Sequence, residues 1–157
     1  MRLAPVVLTC LLALPASALG AVKPGEFRGK QHFKMTLGKR AVTVANKRAH
    51  VGTMDGSCTD EHGATSPWFP PDIEPVKMKG GPARVGEKAT YKRTFAQPSN
   101  ESDPPGYSAT YKYVAKVLFT SKRRAEVKFT MWKYERYEGS SVKSDCRSSA
   151  KDVLKRR

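Results

Sequence analysis

The sequence has few cysteines, few acidic residues and no long hydrophobic run. Its longest apolar run, from Val6 to Leu14, is broken only by Thr9 and is too short to cross a bilayer about 30 Å thick. No stretch longer than a turn or two has helical periodicity, and no catalytic motif is present. With 39% hydrophobic residues, 12 Gly and 11 Pro, the composition excludes a collagen, a coiled coil and a disordered tail.

The N-terminal segment has the organisation of a secretory signal peptide. Arg2 supplies a positive start, the apolar run from Val6 to Leu14 follows, and Pro15 precedes a group of small residues. Cleavage after Ala18 and cleavage after Gly20 both fit this pattern. We therefore predict that the protein is exported.

The same segment predicts release rather than anchoring. Cys10 lies inside the apolar run and follows Thr9, whereas a lipid-attachment motif has a small residue before its cysteine. We predict a removed signal peptide at residues 1–20 and a single β domain at residues 21–157, with no membrane span. The predicted location is extracellular or associated with the cell envelope.

The remaining two cysteines predict one disulfide. In an oxidising compartment, a bond between Cys58 and Cys146 is the simplest interpretation. A metal-binding or catalytic role is less favoured, because neither residue belongs to a C-x-x-C pair and no histidine lies three or four residues from Cys146. Neither a metal nor a cofactor is predicted.

Apolar residues in the chain alternate with a period of two, which is typical of half-buried strands. The alternating segments are residues 33–37, 89–95, 107–119 and 125–131. The last two are joined by the polar turn 121–124 and predict a hairpin. A final strand is predicted at residues 142–150. Residues 53–82 are rich in Pro and Gly and predict loops with one short strand near residues 76–78.

These segments predict an all-β fold of about seven or eight antiparallel strands with one disulfide. Two architectures fit the pattern, a β-sandwich and a closed β-barrel. A single disulfide linking the C-terminal segment to the first half of the chain favours the sandwich.

Several short segments together resemble a known group of proteins. The C-terminal half has a basic turn, a strand, a polar turn and a strand with a cysteine, in Lys122–Trp132, at Gly139 and in Asp145–Ser148. The first half contributes Gly25–Gly29, Gly38 and Cys58. This order resembles small secreted β-proteins of unknown function that are abundant in actinobacteria. The resemblance implies an extracellular β-sandwich with a Cys58–Cys146 bridge, and it implies no catalytic residues.

The charge of the chain is strongly positive and uneven, with 29 Lys and Arg against 14 Asp and Glu. Residues 23–54 hold eight basic residues and one acidic residue, and residues 106–157 hold fourteen and five. Residues 55–105 hold six and eight. The positive electrostatic field of such a chain attracts acidic polysaccharides, cell-wall polymers and the anionic headgroups of lipids, and it attracts nucleic acid without sequence preference. The alternative is a solvated surface whose charge serves solubility. The sequence does not indicate an oligomeric state.

Candidate contacts to an anionic polymer are cations at outward strand positions and one aromatic ring: Lys30, Lys34, Lys112, Lys116, Lys128 and Trp132. Alternation places Trp132 and Tyr134 on the face with Lys128, where a ring can stack on a sugar or a base. The tyrosines at 107, 111 and 113 fall on the opposite face and are predicted to lie in the core. Asn100 begins a glycosylation acceptor pattern, Asn-Glu-Ser.

His32 supports the alternative of a small secreted hydrolase. On a strand, Lys30, His32 and Lys34 would project from one face roughly 7 Å apart. A histidine between two ammonium groups could bind a phosphodiester and act as an acid or base, as a secreted ribonuclease requires. Glu126 is one of many candidates for the second group, and an exposed polar strand explains the same residues. We therefore favour a non-catalytic protein.

An acidic cluster near Cys58 has two interpretations. Asp55, Asp60, Glu61 and His62 could provide ligands for a cation, but they lack the spacing of a calcium loop. Aspartate is also typical of turns, because its side chain bonds the nearby backbone. The turn is the favoured interpretation.

Overall fold

The computed structural model describes residues 20–97, 100–138 and 143–157. The predicted signal peptide, apart from Gly20, and residues 139–141 of the polar turn predicted at residues 138–141 lie outside the described residues. The described residues form ten strands: β1 (Gly25–Arg28), β2 (Lys34–Leu37), β3 (Ala41–Asn46), β4 (Asp55–Asp60), β5 (Thr65–Pro67), β6 (Ile73–Gly80), β7 (Lys88–Gln97), β8 (Tyr107–Ser121), β9 (Arg124–Tyr137) and β10 (Lys143–Arg156). A short 3-10 turn spans Ala49–Val51. In the part of the chain that is described, no helix is long and apolar enough to cross a membrane.

Eight of the strands close into an antiparallel barrel. Their order is β1-β2-β3-β6-β7-β8-β9-β10, and β10 pairs with β1 to complete the ring. This seam is short and consists of Phe27 opposite Arg156 and Arg28 opposite Lys155. The remaining strands, β4 and β5, extend outward from the first half of β10.

The all-β class is confirmed, and of the two predicted architectures the protein has the barrel. The disulfide joins Cys58 on β4 to Cys146 on β10, which lie directly opposite each other in neighbouring strands. It therefore links two strands of one sheet and does not join two packed sheets. The predicted bond is confirmed, but its position gives no support to a sandwich.

The barrel interior is filled by inward-facing apolar side chains, as expected for a small eight-stranded barrel. Its largest fully buried members are Phe27, Met35, Met54, Ile73, Met78, Tyr91, Phe119, Phe129, Met131 and Leu154. Phe27 and Phe119 meet edge to face with ring centroids 5.5 Å apart. The predicted alternation in residues 107–119 and 125–131 is confirmed for the lysines, which point outward, and for most apolar positions. Of the three tyrosines predicted to lie in the core, Tyr113 is buried, whereas Tyr107 and Tyr111 are only half-buried.

The prediction of loops at residues 53–82 was wrong in part. Strands β4 and β5 are almost free of buried apolar side chains, so their sequences lack alternation. Backbone pairing to β10 holds β4 in place, and Pro67 is tolerated because β5 is an edge strand. In β6, Pro75 lies where the register with β3 is irregular, so its missing N–H interrupts no regular ladder.

The last strand is longer than predicted. It was expected to end at Ala150, but β10 continues to Arg156 and pairs with β9 as far as Lys155 opposite Arg124. Leu154 is fully buried in the interior and anchors this extension. The outward residues Lys151 and Lys155 therefore belong to the sheet.

Tyr113 gives a testable pH dependence of stability. It packs against Phe95 and Phe129, and burial raises the pKa of Tyr113 to about 12. Because the folded pKa lies above the unfolded value of about 10, its stabilisation is complete below pH ~10 and is lost as pH rises towards 12. We expect Tyr113→Phe to reduce this alkaline loss by on the order of 2 kcal/mol, measured by urea unfolding at stepped pH. An equal alkaline loss in both proteins would contradict this assignment.

Candidate functional site

The outward surface of β8, β9 and β10 carries a regular array of cations, which we call the basic face. Its members are Lys112, Lys116, Arg124, Lys128, Arg147, Lys151 and Lys155. All seven side chains are exposed. They occupy outward positions because an interval of four residues along a strand returns to the same face.

The centre of the basic face is a row of three lysines on three neighbouring strands. Lys116 lies opposite Lys128, and Lys128 lies opposite Lys151, so we call these residues the lysine row. Like charges directly opposite each other destabilise a sheet. Among the described residues, no carboxylate oxygen lies within 4.0 Å of any of the three ammonium groups. The row therefore concentrates positive charge without forming an ion pair to any described carboxylate.

A second row crosses the strands at Trp132. Lys112 on β8 and Arg147 on β10 lie opposite Trp132 of β9 on its two sides. The Lys112 Nζ is 5.2 Å and the Arg147 Cζ is 5.6 Å from the ring centroid, which is the range of cation–π contacts. Trp132 faces outward as predicted, but a base or sugar would meet these two cations before it could stack on the ring.

A third row crosses the barrel seam. Arg124 of β9 lies opposite Lys155 of β10, and Lys155 lies opposite Arg28 of β1. Arg28 is partly neutralised by Glu26, whose Oε1 is 2.6 Å from its Nε. The basic face therefore continues onto the first strand of the barrel.

A shallow groove of about 1020 Å³ runs along this face. Strand cations line most of it: Lys88, Lys116, Arg124, Lys128, Lys151 and Lys155. Arg28 and Lys30 line the side formed by the β1–β2 turn, and Leu118 and Val153 add apolar surface. Two carboxylates, Glu126 and Asp152, are the acidic groups of the lining.

The Asp152 carboxylate holds the β1–β2 turn against β10 through hydrogen bonds. Its Oδ2 accepts a hydrogen bond from the Gln31 N–H at 3.0 Å, and its Oδ1 accepts one from the Val153 N–H at 2.7 Å. At Gly29, an added Cβ would lie 1.8 Å from the same Oδ2, so no larger residue fits beside the carboxylate. This contact keeps Lys30 at the edge of the groove.

The prediction that Lys30, His32 and Lys34 share a strand was wrong. Strand β1 ends at Arg28, and a turn closes with the Gly29 N–H bonded to the Phe33 carbonyl at 2.9 Å. His32 has a φ of 63°, a left-handed conformation that histidine adopts more readily than most residues. Of the three residues, Lys34 alone lies on β2.

In the described part of the chain, His32 and Glu126 line different cavities. His32 borders two smaller depressions of about 590 and 440 Å³, whereas Glu126 lines the groove of the basic face. Lys34 is bound to Glu26 by an ion pair of 2.9 Å and lies outside the groove lining. His32 thus shares one depression with Lys30 and another with Lys34, whereas Glu126 lines a different cavity.

The remaining acidic cluster forms a turn. The Asp60 Oδ1 accepts hydrogen bonds from the N–H groups of His62 and Ala64, each at 2.9 Å. Asp55 lies at the start of β4, opposite Ser149 of β10. Within residues 20–97, 100–138 and 143–157, no group of three or more potential ligands is arranged to hold a metal ion.

Four cations of the basic face were missed by the sequence analysis: Arg124, Arg147, Lys151 and Lys155. A signal for them exists, since the four-residue interval between Lys112 and Lys116 recurs from Arg124 to Lys128 and from Arg147 through Lys151 to Lys155. Lys151 and Lys155 were missed because the last strand was expected to end at Ala150, and Arg124 was assigned to the polar turn 121–124.

Comparison of the chain with protein-family models, with curated proteins and with solved structures found no match in any of the three.

Proposed function

We propose that the protein is a secreted, non-catalytic binder of anionic polymers and that the basic face is its binding surface. The lysine row carries this proposal. Three lysines directly opposed across three strands repel one another, none of them forms an ion pair with a described carboxylate, and a bound polyanion would relieve this repulsion. A disulfide and a signal-peptide-like N-terminal segment support secretion.

The groove supports a binding surface that follows an extended ligand. It is open along the outside of the barrel, and the two carboxylates of its lining are outnumbered by cations from β1, β7, β8, β9 and β10. Each phosphate, sulfate or carboxylate that a cation neutralises releases counterions from the polymer, so the affinity depends steeply on salt. A positively charged surface of this kind attracts negative charge and does not distinguish one base sequence from another.

The experiment compares two triple variants with equal loss of charge. In the first, the lysine row becomes Lys116→Gln, Lys128→Gln and Lys151→Gln. In the second, Lys39, Lys47 and Lys77 become Gln; these lysines are exposed and lie outside the groove. Heparin serves as the probe, and its dissociation constant is measured over a series of salt concentrations.

We expect the row variant to bind heparin at least about tenfold more weakly than the wild type at low salt. Its slope of log K against log salt should be smaller by about two to three, because three contacts are lost. The control variant should keep most of the affinity. Equal weakening in both variants would show that only the net charge matters, and absence of binding by the wild type at low salt would overturn the proposal.

A further inference from the structure

The cations of the basic face are close together in one direction and far apart in the other. Across the strands, neighbouring members of a row are separated by about 5 Å, the distance between hydrogen-bonded strands. Along a strand, cations recur every fourth residue, as from Arg147 to Lys151 and from Lys151 to Lys155 on β10, and this interval corresponds to roughly 13 Å. A linear polymer therefore meets a cation at very different intervals in the two directions.

From this anisotropy we infer that the bound polymer runs across the strands, along the lysine row, and that it is a base-free polyanion with one charge about every 5 Å. An acidic polysaccharide with one carboxylate per sugar belongs to this class. The inference rests on the proposed function and adds an orientation and a ligand class to it.

The orientation of the polymer follows from matching the spacing of its anions to the spacing of the cations on the protein. A polymer along the lysine row places successive anions near Lys116, Lys128 and Lys151, and Lys30 at the edge of the groove can take a further one. A polymer of the same charge spacing laid along a strand would leave most of its charges between cations. A lysine stem is flexible, but it does not bridge a gap of roughly 13 Å between strand positions.

The ligand class follows from the neighbours of the lysine row. On one side lie Val114, Thr130 and Ser149, and on the other lie Leu118, Glu126 and Val153. None of these side chains is aromatic, although proteins that bind single-stranded nucleic acid use aromatic rings on which bases stack. Trp132 lies on the next row of the face, and its ring already contacts two cations. The surroundings of the row therefore favour a polymer without bases.

The orientation is tested with two double variants that each remove two charges. Lys128→Gln with Lys151→Gln removes two members of one row, whereas Lys151→Gln with Lys155→Gln removes neighbours along one strand. The probe is a length series of oligogalacturonate, which carries one carboxylate per sugar. For a polymer on the lysine row, we expect the first variant to weaken binding about tenfold and the second about threefold. We also expect wild-type affinity to rise with length up to about four charges and then to level off.

The outcomes separate the inference from the proposed function. If binding is salt-dependent but the strand variant loses as much affinity as the row variant, or more, the proposed orientation is wrong. The proposal that the basic face binds polyanions is then retained. If the wild type binds neither oligogalacturonate nor heparin at low salt, both are wrong. An oligothymidylate of equal charge should bind more weakly than oligogalacturonate. Tighter binding of oligothymidylate that is lost in Trp132→Ala would overturn the ligand class.

Discussion

Replacing both disulfide cysteines by serine is expected to lower the free energy of unfolding by up to about 4 to 5 kcal/mol. The bond closes a sequence separation of 88 residues, and its loss restores that chain entropy to the unfolded state. Within the native state, loss of the bond should loosen the β4–β5 hairpin most. This hairpin lies outside the closed barrel, is mostly exposed and is joined to it through the pairing of β4 with β10.

The measurement is thermal and urea unfolding of the Cys58→Ser, Cys146→Ser double variant. The melting temperature should fall by on the order of 10 °C, while the strand content remains. Amide hydrogen exchange should become faster in β4 and β5 than in the barrel strands. Ser144→Ala is the control, because its hydroxyl lies 3.6 Å from the Cys146 Sγ without being part of the bond. Two free thiols in the native protein, or an unchanged melting temperature, would contradict the prediction.

Phe27→Ala is expected to cost about 3 to 5 kcal/mol of stability, the range for removing a buried phenylalanine. Phe27 is fully buried and contacts Phe119 across the interior. It also lies at the short seam, opposite Arg156, where β1 pairs with β10. The substitution therefore removes core packing at the place where the barrel closes.

Phe69→Ala is the matched control, since Phe69 is 64% exposed and its removal should change stability by less than about 0.5 kcal/mol. Both variants are compared by urea unfolding. In Phe27→Ala, exchange of amide hydrogens in β1 and in the last residues of β10 should also accelerate. If Phe27→Ala were as stable as the control, the closed barrel would not depend on packing at its seam.

The hairpin of β8 and β9 shows how much of the fold can be predicted from local sequence patterns. Alternation in residues 107–119 and 125–131, with a polar turn between them, was enough to predict both strands and the outward positions of Lys112, Lys116 and Lys128. Both features depend on neighbours in the sequence. Strands β4 and β5 could not be predicted in this way, because β4 is stabilised by backbone pairing with β10, which joins residues as far apart in the chain as Cys58 and Cys146.

The candidate site was partly predictable for the same reason. The outward positions of Lys112, Lys116 and Lys128 follow from alternation and are confirmed. Their alignment with Lys151 depends on the register between β9 and β10, which the sequence pattern does not contain. The error at His32 has a local cause, since a turn at Gly29–Phe33 interrupts what resembled one continuous strand.

The sequence by itself determined the all-β class, the pair of cysteines available for a disulfide and the excess of positive charge. These properties depend on composition and on a period of two, which are local. Only the tertiary structure decided that the sheet closes into a barrel, that the disulfide joins adjacent strands and that cations from β1, β8, β9 and β10 form rows. Closure and register depend on hydrogen bonds between distant segments, and a shift of two residues in one strand keeps every side chain on its face while removing the alignment of the rows.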